Sequence, residues 1–303
     1  MNAKDAGRAV TSAGDGRKVA LSLLGVWLAA GTLAVLWSYL GPSSGQDWRV
    51  ADHAALETLL DARDLSLPAI RAGAPVPRVF LAAFPPDWAT VPSTTERKRD
   101  FIRVLLPIVL RENERVREIR RRLKDGDATP GWRAMLAARY RVDDDSARSL
   151  LRRIDIVPPS LVIAQAAIES GWGRSRFARE GNALFGQWTW DANDPGMVPK
   201  SRAAGATHRI RRFDTLAGSV RAYMINLNRH AAYRGFREMR RSMRAASGPF
   251  DGTGLAGQLD AYSELGESYV ESLQTVIRVN GLDAFDRARL APSTGLRAAF
   301  GVD

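Results

Sequence analysis

Between Pro158 and Trp190 the chain reads PPSLVIAQAAIESGWGRSRFAREGNALFGQWTW, and the first half of this stretch constrains the fold more than any other. The proline pair suits the first turn of a helix. From Leu161 the run is polar only at Gln165, until it closes on Glu169 and Ser170. A helix apolar on most faces has to lie inside a domain, so other elements must be arranged round it. A carboxylate at the end of such a helix is costly unless it is protonated or partnered.

That conflict makes Glu169 the first candidate for chemistry. Burial disfavours the anion, and so does the partial negative charge at a helix C-terminus. A carboxyl group held protonated near neutral pH is what a general acid requires. A glutamate that swings into solvent at the helix end is the alternative, and spacing alone does not choose between them. Gly171 and Gly173 allow positive φ and close backbone approach, and Trp172 between them offers a flat wall on which a sugar ring can stack. Asn182, Phe185, Gly186, Gln187, Trp188 and Trp190 follow, placing amides beside aromatic rings. Amides and indoles together suit an amide-bearing sugar. At least one of Trp188 and Trp190 is expected in the core.

The flanking sequence reads as many helices and few strands. A weak amphipathic helix is expected from Trp48 to about Arg63. The proline-rich segment from Leu65 to Pro92 is expected to be extended or looped, with VFLAAF (79–84) a short strand or a clip on the domain surface. Ser93 and Glu96 form a capping box for a long helix to about Lys124. Its single apolar stripe is Phe101, Leu105, Ile108, Val109, Val116, Ile119 and Leu123, and Pro107 is a kink site. Helices follow near Trp132–Tyr140 and Ser146–Arg153. After the central stretch, residues 193–206 read as a loop or small lobe and THRIRRF (207–213) as a strand. Asp214 reads as the N-cap of a helix over Thr215–Asn228 that turns Val220, Tyr223, Met224 and Leu227 inward. Helices are expected at about Tyr233–Arg244, Leu255–Leu259 and Glu267–Val279, the last ending on Asn280-Gly281. The fold class is mainly α with a small β element after the central helix.

Composition enters at the N-terminus. Residues 1–18 are small, polar and basic, and residues 19–40, VALSLLGVWLAAGTLAVLWSYL, carry no charge. That length crosses a bilayer as one helix, Trp37 and Tyr39 suit its far interface, and the basic flank keeps the N-terminus cytoplasmic. A cleaved signal peptide is the competing reading, but no small-x-small cleavage site follows in GPSSGQD. The expected layout is therefore a cytoplasmic end (1–18), a transmembrane anchor (19–40), a linker or extension (41–92), a domain at 93–290 and a tail at 291–303. The chain would be a single-pass inner-membrane protein with its domain in the periplasm. The absence of cysteine excludes thiolate chemistry and disulfides. His53, His208 and His230 are scattered without metal-ligand spacing, so neither a metal nor another cofactor is expected. The net charge of +11 suits a nucleic acid, an acidic membrane surface or a polyanionic wall polymer. The export topology argues against nucleic acid.

IAQAAIESGWGRSRFAREGNALFGQW resembles the signature of glycoside hydrolase family 73, the bacterial β-N-acetylglucosaminidases. FDTLAGSVRAYMINLNRHAAYRGFR and LDAYSELGESYVESLQTVI are similar to later blocks of that family, in the same order. RIDIVPP (153–159) and LNRHAAY (227–233) bring the chain nearest to its Bax-like subgroup. The resemblance covers roughly residues 95–285 and implies a lysozyme-like domain with a small β-lobe that acts on the glycan strands of peptidoglycan. It implies Glu169 as catalytic acid and Tyr262 as a catalytic or substrate-orienting phenol, with Trp172, Asn182, Phe185, Gly186, Gln187, Trp188 and Tyr223 toward the substrate. Many members carry a second glutamate in the β-lobe, and this chain has none there. Asp191 and Asp194 stand in that lobe as candidate bases, and the substrate's own 2-acetamido group is the alternative. A lytic transglycosylase on the same fold and a non-catalytic peptidoglycan-binding protein are the competing functions.

Overall fold

The computed structural model describes residues 47–190, 193–194, 196–199, 207–246, 248 and 250–293. The apolar stretch 19–40 lies outside the described residues, as does Asp191. Among the described residues no helix is long and apolar enough to cross a membrane. From Asp47 onward the described residues belong to one unit.

Helix α1 is His53–Ala62, shorter than expected because Asp52 supplies the cap by accepting a hydrogen bond from the Ala55 amide. A second helix, α2 (Leu67–Arg71), was not expected. Pro68 sits in its first turn, where the missing N–H costs nothing, and Ser66 caps it. Residues 79–84 are neither a surface clip nor a strand. Leu81 makes one isolated bridge to Trp48, and Val79, Phe80, Leu81, Ala82 and Phe84 are buried. A single apolar cluster joins α1, α2 and these residues to the rest of the fold.

Helix α3 (Thr94–Asp125) starts on the expected cap, with Ser93 Oγ accepting from the Glu96 amide at 3.1 Å, and continues through Pro107. In place of one buried stripe, α3 buries every residue from Asp100 to Asn113. Its charges must therefore be partnered. Asp100 meets Arg99 (2.8 Å), Arg103 (3.3 Å) and His53 (2.9 Å), Arg111 meets Asp47 (2.6 Å), and Glu112 meets Arg221 (2.8 Å). Helices α4 (Pro130–Tyr140) and α5 (Ala147–Arg153) follow on Thr129 and Ser146 caps.

Helix α6 (Pro159–Ser170) is the apolar run, and residues 159–167 are all buried. It packs against α3, against α10 (Gly252–Ala256), against α11 (Glu267–Val279) and against the 3-10 turn Asp283–Arg287. Helix α7 (Arg176–Gly181) leads into three short strands, β1 (Trp188–Thr189), β2 (Gly196–Met197) and β3 (Arg209–Arg211). They form an antiparallel sheet in the order β1-β3-β2, with Trp188 opposite Ile210 and Gly196 opposite Arg211. Helix α8 is Leu216–Arg229, and its cap is Thr215 rather than Asp214, since the Thr215 hydroxyl accepts from the Gly218 amide. Val220, Tyr223, Met224 and Leu227 point inward as their spacing predicts. Helix α9 is Arg234–Ala245. The short helix expected at 255–259 begins three residues earlier because Asp251 caps it.

Candidate active site

Glu169 is the penultimate residue of α6 and is half-buried. Helix α6 stops there because Gly171 takes a left-handed conformation (φ 59°, ψ 47°) and its amide returns to the Ala167 and Ile168 carbonyls. The carboxyl group has one recorded hydrogen bond, from the Tyr269 hydroxyl to Oε1 at 2.8 Å. Burial pushes the Glu169 pKa above the ordinary carboxyl value, and the Tyr269 bond pulls against it. The net direction is upward, as its position on the helix predicts.

Tyr269 belongs to a chain of contacts that runs into the core. Gln165, one turn before Glu169 on α6, donates from Nε2 to the Tyr269 oxygen at 2.9 Å, and its Oε1 accepts from the Tyr223 hydroxyl. An amide nitrogen can only donate and an amide oxygen only accept. The direction is therefore fixed: Tyr223 donates to Gln165, Gln165 to Tyr269, and Tyr269 to Glu169. Gln165 and Tyr223 are fully buried and Tyr269 is 3% exposed. Burial, then the charge of Glu169, raises the Tyr269 phenol, so it remains a neutral donor.

Tyr262 does not bond to Glu169. Its hydroxyl donates to the Phe185 carbonyl at 3.3 Å, and its ring stacks on Tyr269 at 5.6 Å. Through that bond, and through Phe185 stacked on Tyr223 at 4.0 Å, the turn containing Asn182, Phe185 and Gly186 is fastened to the tyrosines. Asn182 and Phe185 are buried. Asn182 is the left-handed cap of α7 (φ 50°), and its Nδ2 donates to the Phe213 carbonyl. Gly186 (φ 59°) turns the chain into β1, and Gln187 follows with its side-chain oxygen buried and without a hydrogen-bond partner. Tyr223 and Phe185 thus form the wall behind the acid.

Trp172 is only partly available. Its ring meets the edge of Phe101 at 5.4 Å, and Lys98 lies over it at 5.0 Å. Contrary to expectation, neither Trp188 nor Trp190 is core: they are 55% and 66% exposed. Trp188 stacks on His208 at 4.2 Å and meets Trp190 edge-on at 5.7 Å. Asp194 is bound within the lobe, its carboxylate accepting from Thr189 Oγ1 at 3.0 Å and facing Arg211 at 3.5 Å.

The sequence reading missed Tyr269. The available signal was in AYSELGESY, which holds a second tyrosine seven residues after Tyr262, at the start of α11. His53, Glu57 and Asp100 bring ligand atoms within 4.8 Å of one another. The Arg99 and Arg103 guanidiniums already occupy Asp100, which argues against a dication there.

Comparison with known proteins adds the following. The family model Glucosaminidase, described as mannosyl-glycoprotein endo-beta-N-acetylglucosaminidase, matches residues 144–282. Protein bax of Escherichia coli (strain K12) is 36% identical over 200 residues, covering 61% of this chain and 70% of that protein. The catalytic domain of the autolysin Auto from Listeria monocytogenes aligns at 17% identity and a TM-score of 0.35, covering 65% of this chain and 92% of that one.

Proposed function

This chain belongs to the glucosaminidase family, glycoside hydrolase family 73, as a Bax-like member, and from that premise we propose that it hydrolyses the β-1,4 bond between N-acetylglucosamine and N-acetylmuramic acid in peptidoglycan, with Glu169 as the general acid. The observation that carries the reading is the single-partner carboxyl group at the end of a buried helix, raised by burial and addressed by one oriented phenol. The mainly helical body with its three-stranded lobe supports a lysozyme-like reading of the fold.

In this reading Glu169 gives its proton to the glycosidic oxygen as the bond to C1 breaks. The 2-acetamido oxygen of the same sugar then attacks C1 to form an oxazolinium ion. Water opens that ion at C1 and returns a proton to the Glu169 carboxylate. The same group therefore acts as acid and then as base. The opposition between burial and the Tyr269 bond suits both roles, because one favours the protonated form and the other the ionised form. What supports acetamido assistance over Asp194 as the base is that Asp194 is engaged by Thr189 and Arg211. Trp188, exposed on the lobe, would stack on the glycan. Residues 19–40 would hold the enzyme in the inner membrane with its domain in the periplasm, which alkaline phosphatase fusions after residue 46 would report.

Mass spectrometry of muropeptides released from purified sacculi tests the reaction. New reducing N-acetylglucosamine ends support it, anhydromuramic ends select a lytic transglycosylase, and sacculus binding without release selects a non-catalytic binder. Undiminished release by Glu169→Gln would remove both catalytic readings.

A further inference from the structure

The turn after Glu169 is held in an unusual conformation by a residue from far outside the family match. Gly171, Trp172 and Gly173 all have positive φ, at 59°, 58° and 79°. For glycine this is ordinary, but for a bulky side chain such as Trp172 it is a genuine outlier, which persists only where the surroundings over-determine it. The neighbouring carbonyls of Ser170 and Gly171 accept from the Ser175 and Arg174 amides within the turn. The Trp172 carbonyl instead accepts from the indole Nε1 of Trp88, at 2.9 Å.

Trp88 lies in the proline-rich segment before α3 and has no exposed surface. Its ring stacks on Phe84 at 4.5 Å, Phe84 stacks on Phe101 at 5.6 Å, and Phe101 meets the Trp172 ring at 5.4 Å. From the other side His53 meets the Trp88 ring edge-on at 5.9 Å, and the His53 amide donates to Asp87. The indole is therefore held by Phe84 and His53, which lie outside the turn it serves. Gly173 records the same closeness, since a Cβ there would stand 2.6 Å from Trp88 Nε1 and 3.0 Å from the Phe84 ring.

We infer that Trp88 is a positioning residue of the active site: its indole captures the Trp172 carbonyl, holds the left-handed turn, and so fixes the exit of the helix that carries Glu169. The stretch that carries Phe84 and Trp88 is then a brace for the turn after Glu169 rather than a spacer. This inference rests on the assignment of Glu169 as the acid.

The test uses the full chain on purified sacculi, at a temperature where circular dichroism shows every variant folded. Trp88→Phe keeps the ring and removes the N–H, and Gly173→Ala both crowds the indole and strains the left-handed turn that the indole holds. Each is expected to lower kcat roughly ten-fold, the effect of one buried hydrogen bond, with KM changed less than two-fold. Leu56→Ala, a core truncation in α1, is expected to lower Tm and leave kcat intact. Wild-type kcat in both Trp88→Phe and Gly173→Ala, or an equal loss in Leu56→Ala, overturns the inference. In hydrogen-exchange NMR the Trp88 indole N–H should be protected in the wild type and released by Gly173→Ala. Free exchange in the wild type also overturns the inference, whatever the activity. Activity retained by Glu169→Gln would instead overturn the assignment of the acid, so the two failures are separable.

Discussion

The two ends of α6 each meet a half-buried carboxyl group, and the two groups are treated in opposite ways. At the N-terminal end Asp286 reaches in from the 3-10 turn and accepts three hydrogen bonds: from the Ser160 amide (2.8 Å), the Ser160 hydroxyl (2.7 Å) and the Gly252 amide (3.2 Å). Helix geometry favours an anion there. At the C-terminal end, where it does not, Glu169 accepts one bond. Burial raises both groups, Asp286 to about 6. The difference is in the lone pairs. Asp286 has donors on both oxygens and so pins α6 to α10, whereas among the described residues Glu169 has a donor on Oε1 alone.

The largest effect should come from the Glu169 end. Glu169→Gln should lower kcat by about 10²–10⁴, the usual range for a general acid, with circular dichroism and Tm showing an intact fold. If Asp286→Asn lost as much activity while folded, the contrast between the ends would fail. Next, Tyr269→Phe removes the one bond that favours ionised Glu169. It should lower kcat roughly ten-fold and move the alkaline limb of the kcat/KM profile upward, because burial then acts unopposed.

At the pinned end the readout is stability. The folded Asp286 carboxyl lies above its unfolded value, so its contribution is largest at low pH and is lost as pH rises from about 4 to 6. The difference in stability between Asp286→Asn and wild type should therefore move in favour of the variant across that window, by on the order of 2 kcal/mol, as measured by urea denaturation. A pH-independent difference would place the Asp286 pKa at its ordinary value. The smallest effect lies outside the helix. Trp188→Ala should raise KM about two- to ten-fold, the worth of one aromatic contact, without changing Tm, since its ring is exposed. Lost stability there would mean that the lobe depends on its tryptophans for folding.

Much of this was legible in order along the chain. The run from Leu161 to Ser170 announced a buried helix, Ser93 and Glu96 announced the start of α3, and Glu169 stood out because no other polar charge interrupts that run. Local rules suffice for such features because caps and helix faces are decided within a few residues. Tyr269, Trp88 and the exposure of Trp188 were not legible for the opposite reason. Tyr269 meets Glu169 across 100 residues and Trp88 meets Trp172 across 84, and pattern along the chain does not encode which distant side chain arrives. Helix α2 and the cap at Thr215 were missed on a smaller scale, where proline and aspartate each admitted two placements.

The sequence by itself determined that one helix had to be central and that a carboxyl group ended it, because an apolar run of that length has no other stable location. Only the tertiary structure decided what that carboxyl group can do. It set Tyr269 in place through Gln165 and Tyr223, aimed its hydroxyl at Oε1, and braced the turn beyond with Trp88. The reason is that a pKa and an orientation depend on which groups lie within about 4–6 Å. The phenol on Glu169 comes from α11, the amide behind that phenol from α6 itself, and the indole on the following turn from the segment before α3.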